Sequence, residues 1–283
     1  MTRAAWAEQT IPAAREYPSS RFRLGMGSPT ARGLRIPARL GPWLSGPAGD
    51  PTAGALGVLV DNTIAGEVYR GAPAEMGSVT SELSFDLVAP PPWVGPELSA
   101  EATLFGRDDA GGGMAGCEVR DGSGRLVAVA TGRLRWIPRP PQWRWRGDGA
   151  GLPALPPAPH GSLLAALGIP GAGPTRHGEL GRLVLPSSPA FGNSAGAVHG
   201  GILFCLTDLV TDALAEPGRP ELTTSLRINY VRPAAVGAPT TATAETLHRG
   251  RTVVVYRVTT AGPSDLPYTI ATVTRARGPE DSA

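Results

Sequence analysis

A glycine-rich loop in the second half of the chain carries residue types that could stabilise negative charge on a carbonyl oxygen. Residues 191–208 read FGNSAGAVHGGILFCLTD, so Asn193 and His199 precede Gly200 at the start of an apolar run. If that run is a helix, the N–H groups of its first turn have no intrahelical partner and lie at the positive end of the helix dipole. The Gly200 amide could then bind an oxyanion, and the absent side chain would let a substrate approach.

The apolar run has the periodicity of a helix, and strand-like segments follow it. Apolar side chains recur at three- and four-residue spacings from Ile202 to Ala213, which predicts a helix of about three to four turns. Pro217 and Gly218 end it. Alternating, β-branched segments then predict strands at 222–231, 240–248, 252–260 and 268–276. Because a single apolar helix must bury its stripe against the sheet, we expect the sheet to curl around it.

The first half of the chain looks like a copy of the second half. Residues 54–61, GALGVLVD, align with residues 201–208, GILFCLTD, at a constant offset, 208 − 61 = 147. Residues 80–90 align with 223–233 at 233 − 90 = 143, so one turn has lost a few residues. Weaker matches in the same order pair 33–37 with 181–186, 100–104 with 243–247, and 130–135 with 271–277. The sequence therefore predicts a tandem duplication of an α+β unit, each copy a leading strand, one helix and a run of antiparallel strands.

The expected division of the chain follows from this duplication. We predict an N-terminal copy at 20–138, a linker rich in proline, tryptophan and arginine at 139–160, and a C-terminal copy at 161–278. The linker lacks too many backbone amides to sustain a helix or a central strand.

Composition excludes several classes of protein. In 283 residues, 41% are hydrophobic and 18% charged, which rules out wholesale disorder. A net charge of +2 is small for a dedicated nucleic-acid binder. The two cysteines have no partner at metal-binding spacing, and no stretch approaches the roughly 20 apolar residues of a membrane span. We expect a reduced, cytoplasmic protein with no metal, no nucleic-acid partner and no membrane segment.

The loop and helix of the second copy resemble the hotdog superfamily, specifically acyl-CoA thioesterases of the phenylacetate-degradation type. The pattern of that family is Asn-x-x-Gly-x-x-His-Gly-Gly followed by an acidic residue on the helix. It is matched here by Asn193, Gly196, His199, Gly200, Gly201 and Asp208. Residues 230–233, YVRP, and the turn at 248–252 also look like the later strands of the family. The whole chain thus resembles a double hotdog, two antiparallel sheets each wrapped round a central helix.

The resemblance implies roles for individual residues. The acidic side chain would act as nucleophile or as base on water, and Asn193 and the glycine amide would polarise the thioester carbonyl. His199 would support the loop or the leaving group. A hydroxyl on the following strand would assist: Thr223 or Thr224 in the second copy, and Thr80 or Ser81 in the first.

Helix geometry shows that such a site must combine the two copies. Eight residues separate Gly200 from Asp208, which at ~1.5 Å per residue is roughly 12 Å, so one thioester carbon cannot touch both. Offset arithmetic puts Thr52 and Gly46 where the second copy has His199 and Asn193, whereas Asp61 is retained. We therefore expect the intact site to join Asn193, His199 and Gly200 to Asp61 and Thr80. The mirror site, Asp208 opposite the loop at 51–54, would lack the Asn and His partners and be weakened or silent, although a backbone amide could still serve. From periodicity alone, Asp208 is equally a solvated or interface-facing carboxylate.

Arginines at turns are candidates for binding coenzyme A phosphates. Arg232, Arg249 and Arg251 occupy such turns, Gly201 completes the expected binding loop, and guanidinium groups suit phosphate oxygens. The resemblance predicts an acyl-CoA thioesterase with no cofactor beyond the coenzyme A of its substrate, and a homo-oligomer of double-hotdog chains is compatible with it. Two alternatives stay open: a catalytically inactive acyl-CoA-binding protein, and an enoyl-CoA hydratase. The sequence leaves the acyl chain length open.

Overall fold

Two similar units follow one another along the chain. The computed structural model describes residues 17–109, 111–139, 160–169, 171 and 173–278, so nearly all of the expected linker lies outside the described residues. The first unit contains α1 (Pro18–Arg21), β1 (Ser28–Pro29), β2 (Leu34–Arg39), short 3-10 turns at Pro42–Leu44 and Ala53–Leu56, α2 (Gly57–Tyr69), β3 (Met76–Leu87), β4 (Glu97–Asp108), β5 (Gly112–Arg120) and β6 (Leu126–Pro138). The second contains α3 (Leu163–Ala166), β7 (Thr175–His177), β8 (Leu180–Leu185), a 3-10 turn at Pro189–Phe191, α4 (Gly200–Leu209), a 3-10 turn at Val210–Leu214, β9 (Glu221–Tyr230), β10 (Thr240–Arg249), β11 (Val253–Ala261) and β12 (Pro267–Arg277).

The strands of both units form one continuous antiparallel sheet. Among the described residues the order is β1-β2-β4-β5-β6-β3-β9-β12-β11-β10-β8-β7. The order is symmetric, because each strand of the first unit and its counterpart in the second unit lie at equal distances from the centre of the sheet. The junction is the β3–β9 pairing, with Leu83 opposite Ile228 and Phe85 opposite Leu226. An approximate two-fold axis therefore passes between β3 and β9, and the α+β double-hotdog fold is confirmed.

The two long helices, α2 and α4, pack directly against each other. A Cβ atom added at Gly201 would lie 2.5 Å from the Cα of Val58, and one added at Gly57 would lie 2.6 Å from Phe204. Only glycine permits so close an approach of two backbones. The first turn of α4 is thus held directly against the first turn of α2.

Buried apolar side chains from both units make one core. Phe85 of β3 and Phe204 of α4 are fully buried and meet edge to face, with ring centroids 5.5 Å apart. Contacts of this kind join the sheet of one unit to the helix of the other. Each helix is consequently positioned by both repeats.

The predicted elements match the observed ones closely, with one difference in the helix. The strands at 222–231, 240–248, 252–260 and 268–276 appear with ends shifted by a residue or so. The helix is α-helical only for Gly200–Leu209 and then tightens into the 3-10 turn Val210–Leu214, where the Thr211 hydroxyl donates to the Asp208 carbonyl at 2.7 Å.

Candidate active site

Asp61 of the first unit lies buried at the junction of the two helices. Residue 61 is in the second turn of α2, is 4% exposed, and directs its carboxylate towards the start of α4. The Thr80 hydroxyl on β3 donates to Asp61 Oδ1 at 2.7 Å. The Gly201 N–H donates to Asp61 Oδ2 at 2.9 Å. Both carboxylate oxygens are therefore held, one by each unit.

The His199 imidazole completes the surroundings of this carboxylate. Its Nδ1 is 3.2 Å from Asp61 Oδ2 and 3.0 Å from the Gly201 nitrogen. Its Nε2 is 3.0 Å from Nδ2 of Asn62, the residue next to Asp61 on α2. Burial lowers the pKa of His199 below its ordinary 6.5, although the Asp61 charge opposes the shift. His199 is accordingly neutral at neutral pH.

Gly200 lies between the carboxylate and a tyrosine. A Cβ atom at this position would be 2.7 Å from Asp61 Oδ2 and 3.3 Å from the Tyr230 ring. The Tyr230 hydroxyl donates to the Gly200 carbonyl at 3.0 Å, and burial raises the pKa of Tyr230, so the phenol stays protonated. Because Gly200 is the first residue of α4, its N–H has no intrahelical partner.

Asn193 shapes the loop that precedes α4. Its Oδ1 accepts hydrogen bonds from the backbone N–H groups of Ala195 and Ala197, at 2.9 and 3.0 Å. This side-chain turn fixes the loop and commits the amide oxygen. The two N–H bonds of Nδ2 are therefore what Asn193 has to offer to a ligand.

A cavity of about 750 Å³ opens onto this cluster. It is lined by side chains and backbone of both units and by the N-terminal segment around Tyr17. The predicted residues that line it are Asp61, Thr80, Asn193, His199, Gly200 and Arg232. A volume of this size accommodates a drug-sized ligand.

Matching β-bulges decide which hydroxyl reaches each carboxylate. The register between β3 and β6 shifts at Ser81, and the register between β9 and β12 shifts at Thr224. Ser81 and Thr224 instead donate to the carbonyls of Arg133 and Thr274, at 3.0 and 3.1 Å. Of the paired candidates, Thr80 and Thr223 reach a carboxylate, whereas Ser81 and Thr224 do not.

Asp208, the mirror carboxylate, has more polar partners than we expected. Its Oδ2 accepts from the Gly54 N–H at 2.7 Å and its Oδ1 from the Thr223 hydroxyl at 2.5 Å, which repeats the arrangement around Asp61. In addition, Arg275 Nη2 lies 3.3 Å from Asp208 Oδ1. Asp208 is only 1% exposed, so the alternative of a solvated side chain is wrong, whereas the backbone amide that we allowed for is present in Gly54.

Charged side chains surround Asp208 in the second unit. Arg275 pairs with Thr223 across the sheet where the first unit pairs Leu134 with Thr80. Arg275 is 5% exposed and also donates to Asp212 at 2.6 Å. Burial works against its charge, but the Asp212 and Asp208 carboxylates outweigh burial and raise the pKa of Arg275.

The same repeat offsets locate further substitutions in this region. Asp212 corresponds to Ala65, and Glu221 to Ser78, two residues that line the cavity of the first carboxylate. The Glu221 side chain is only 1% exposed and binds Arg249 at 2.9 Å and the Tyr256 hydroxyl at 2.6 Å. Ion pairs and hydrogen bonds thus occupy the mirror site.

Of the residues predicted to bind coenzyme A, only Arg232 lines the cavity. Arg232 lines the cavity, and its Nη1 donates to the Pro267 carbonyl at 2.9 Å. Arg249 is committed to Glu221 and to the Leu214 carbonyl, and Arg251 is exposed elsewhere. Of the described residues that line the cavity, none is Arg249, Arg251 or Gly201. Gly201 faces Val58 at the helix crossing, so it cannot touch a ligand directly.

Sequence reasoning missed three residues that the structure makes prominent. Asn62 contacts His199, Arg139 lines the cavity, and Arg275 pairs with Asp208. An alignment of the last strands of the two repeats shows that Arg275 takes the position of Leu134 in the first unit. A signal for Asn62 was its position directly after Asp61, where the second unit has Leu209.

Metal ligands and membrane helices are absent from the part of the chain that the structure describes. Those residues contain no group of three or more His, Cys, Asp or Glu side chains placed to hold a metal ion. None of the helices among them is long and apolar enough to cross a membrane.

Comparison with known proteins identifies a family domain in the second unit and the fold of the whole chain. Residues 195–260 match the model of the thioesterase superfamily. A search of curated protein sequences finds no match to this chain.

Solved structures with the same two-unit architecture cover most of the chain. An oleoyl thioesterase structure from Lactobacillus plantarum is 14% identical with a TM-score of 0.58, covering 87% of this chain and 96% of that one. The acyl-CoA thioesterase II TesB2 of Mycobacterium marinum is 9% identical with a TM-score of 0.56, covering 94% and 99%. A tesB protein of Mycobacterium avium subs paratuberculosis is 10% identical with a TM-score of 0.56, covering 89% and 96%. Residues 195–260 of the second unit thus match a thioesterase-superfamily model, and the whole chain has the double-hotdog fold of these solved structures.

Proposed function

We propose that this protein is an acyl-CoA thioesterase, which hydrolyses an acyl-CoA to a carboxylic acid and free coenzyme A. The observation that carries the proposal is a buried carboxylate, Asp61, held at the start of the other unit's helix on a cavity of about 750 Å³. The thioesterase-superfamily match over residues 195–260 and the acyl-CoA thioesterase named among the structures of the same fold support it.

The arrangement supports attack of water on the thioester carbonyl. A carbonyl oxygen at the start of α4 would accept from the Gly200 N–H and from Nδ2 of Asn193, where the helix dipole favours the developing charge. A water beside Asp61 would give its proton to the carboxylate as its oxygen bonds to the carbonyl carbon. When the tetrahedral intermediate collapses, the C–S bond breaks, and coenzyme A leaves as a thiolate that takes up a proton.

Three hydrogen-bond donors keep the Asp61 carboxylate in place for this step. Thr80 and the Gly201 N–H occupy one lone pair on each oxygen, and Nδ1 of His199 lies beside Oδ2. The remaining lone pair of Oδ1 can accept from water. In this proposal Thr80 and His199 position the base, and Gly201 acts through its backbone.

Two arginines on the cavity suit the phosphates of coenzyme A. Arg232 and Arg139 both line the cavity, one from each unit. Arg139 is anchored by the Met76 carbonyl at 2.9 Å and by the Tyr69 hydroxyl at 2.5 Å. We assign them as the cations that receive the nucleotide end of the substrate.

The free, buried thiols of Cys117 and Cys205 agree with the proposed cytoplasmic location.

Release of free thiol from a panel of acyl-CoA substrates tests the function. We expect the wild-type protein to release coenzyme A, and Asp61→Asn to lower kcat by about 100-fold or more, because an amide cannot accept the proton. Thr80 can turn its hydroxyl to accept from the new amide, so this variant should fold.

The matched control is the mirror variant, Asp208→Asn. Its side chain does not line the cavity, so kcat should stay near that of the wild type. Stability should fall, because the buried Arg275 guanidinium loses one of its carboxylate partners. Loss of activity in Asp208→Asn with retention in Asp61→Asn would reverse the assignment. Tight acyl-CoA binding without thiol release would favour the binding-protein alternative, and an absorbance change on an enoyl-CoA would favour the hydratase.

A further inference from the structure

We propose that Asn62 is a positioning residue that fixes the tautomer of His199 and thereby orients the Asp61 carboxylate. Its catalytic consequence rests on the proposed function, but the tautomer itself does not.

The orientation of the Asn62 amide is set by its own helix. Its Nδ2 donates to the Val58 carbonyl at 2.8 Å, four residues earlier on α2. A carbonyl can only accept, so the NH₂ group, and not the amide oxygen, is on this side. The same nitrogen is 3.0 Å from His199 Nε2, so its second N–H bond points at the imidazole.

This contact requires His199 Nε2 to be an acceptor. A neutral imidazole with an unprotonated Nε2 carries its proton on Nδ1. That proton faces Asp61 Oδ2, 3.2 Å away, and donates to it. The carboxylate oxygen then accepts from both His199 and the Gly201 N–H.

A competing tautomer would use His199 as a simple helix cap. In it, Nδ1 would accept from the Gly201 N–H, 3.0 Å away, and Nε2 would carry the proton. Two consequences oppose it: the proton on Nε2 would face the N–H of Asn62, and two lone pairs would face each other between Nδ1 and Asp61 Oδ2. Gly201 already has a better acceptor in the carboxylate at 2.9 Å. Asn62 is therefore the group that selects between the two tautomers.

The mirror site supplies an independent comparison. By the offset of 147, Asn62 corresponds to Leu209 and His199 to Thr52. Where the imidazole is absent, the amide is absent too, and the Thr52 hydroxyl makes an ordinary cap to the Ala55 N–H at 3.3 Å. The amide and the imidazole thus occur as a pair, in the one site that opens onto the cavity.

Nitrogen-15 NMR of the histidine rings in the intact protein tests the proposal. The chain has four histidines, and the signals missing from His199→Gln identify His199. We expect the wild type at neutral pH to carry the proton on Nδ1. Asn62→Leu, which introduces the mirror residue, should move the proton to Nε2, because His199 can then cap the helix. Asn62→Asp should also place a proton on Nε2, because a carboxylate accepts from it.

Kinetics give the second readout. In Asn62→Leu the Asp61 carboxylate loses the hydrogen bond that the Nδ1–H of His199 donates to it. We therefore expect kcat to fall by about 10- to 100-fold and KM to change much less. A wild-type His199 protonated on Nε2, or an Nδ1 proton that persists in both variants, would overturn the proposal. If the wild type hydrolyses no acyl-CoA, the proposed function fails, while the NMR result still decides the role of Asn62.

Discussion

Two aspartates at corresponding positions of the repeat have nearly the same local partners and opposite surroundings. Asp61 and Asp208 each accept from a threonine hydroxyl and from the backbone amide of a glycine in the other unit. The difference lies in what else is near. Asp61 has a neutral imidazole and an open cavity, whereas Asp208 has the buried guanidinium of Arg275. We propose that the ion pair with Arg275 occupies Asp208, which leaves Asp61 as the base of the proposed function.

The threonines offer a matched test of this difference. Thr80→Val should lower kcat by about tenfold or more, since it removes the donor that orients Asp61 Oδ1, while the free energy of unfolding changes modestly. Thr223→Val should instead lower the free energy of unfolding by about 1–3 kcal/mol, because it leaves a buried acceptor with one partner fewer. Urea unfolding and thiol release measured on both variants check this. The same activity loss in both would contradict a single active site.

His199 should make stability depend on pH in a defined direction. Burial lowers its pKa in the folded protein below the ordinary 6.5, so the unfolded chain binds the proton more tightly. The free energy of unfolding should therefore fall as pH decreases through 6.5 towards the folded-state pKa, by at most about 1.4 kcal/mol per pH unit. Urea unfolding of wild type and His199→Gln at pH 7.5 and 5.5 measures it. The wild type should lose more stability than the variant, and equal losses would argue against a buried neutral imidazole.

At the level of elements, the helix crossing and the β-bulges do the positioning. The close contact of α2 and α4 brings the Gly201 N–H to Asp61 and, by the repeat, the Gly54 N–H to Asp208. The bulges at Ser81 and Thr224 turn Thr80 and Thr223 towards these carboxylates. Neither feature involves a ligand, yet both determine where the carboxylates point.

Adding one methyl group at the crossing should disturb both stability and activity. In Gly201→Ala the new Cβ would meet the backbone of Val58 and Gly57 at 2.5 and 2.6 Å, so the helices must separate. We expect a loss of about 1–3 kcal/mol in the free energy of unfolding, together with reduced kcat, because the amide leaves Asp61. Gly106→Ala is the control, since its Cβ would meet nothing within 4 Å. Thermal unfolding and thiol release compare the two, and an unchanged Gly201→Ala would contradict the role of the crossing.

On the scale of the whole molecule, duplication has given two carboxylate sites with different surroundings. The sheet continues through β3 and β9, so each site draws its carboxylate from one unit and its backbone donor from the other. Ion pairs and hydrogen bonds join Arg275 to Asp208 and Asp212, and Glu221 to Arg249. Asp212 and Glu221 correspond by the repeat to Ala65 and Ser78, which line the cavity of Asp61.

This asymmetry predicts one ligand per chain. Isothermal titration with a non-hydrolysable acyl-CoA analogue should give a stoichiometry of one, and Asp208→Asn should leave that stoichiometry and the affinity unchanged. Substitution of Arg232 and Arg139 by glutamine should weaken binding, with the greater effect at low salt. Two equivalent molecules bound per chain would show that the mirror site is open.

The sequence by itself determined the features that rest on local pattern. The repeat offsets, the helix period and the strand alternation predicted a duplicated α+β unit with a sheet curled round each helix, and the resemblance to a family named it a double hotdog. The length of one helix showed that Gly200 and Asp208 could not share a substrate. The spacing from Asn193 to Asp208, within one stretch of 16 residues, indicated that the loop before α4 is part of the candidate site.

Only the tertiary structure decided the features that depend on register and on distant partners. A bulge moves a strand by one residue and exchanges its two faces, so Thr80 and Thr223 reach the carboxylates and their neighbours do not. Arg275 is 67 residues from Asp208, and nothing in its local sequence distinguishes a buried ion pair from a solvated arginine. The tautomer of His199 likewise depends on an amide from the other unit. Periodicity records which face of an element is apolar, whereas the polar partners of a buried group are chosen by the packing of elements far apart in the chain.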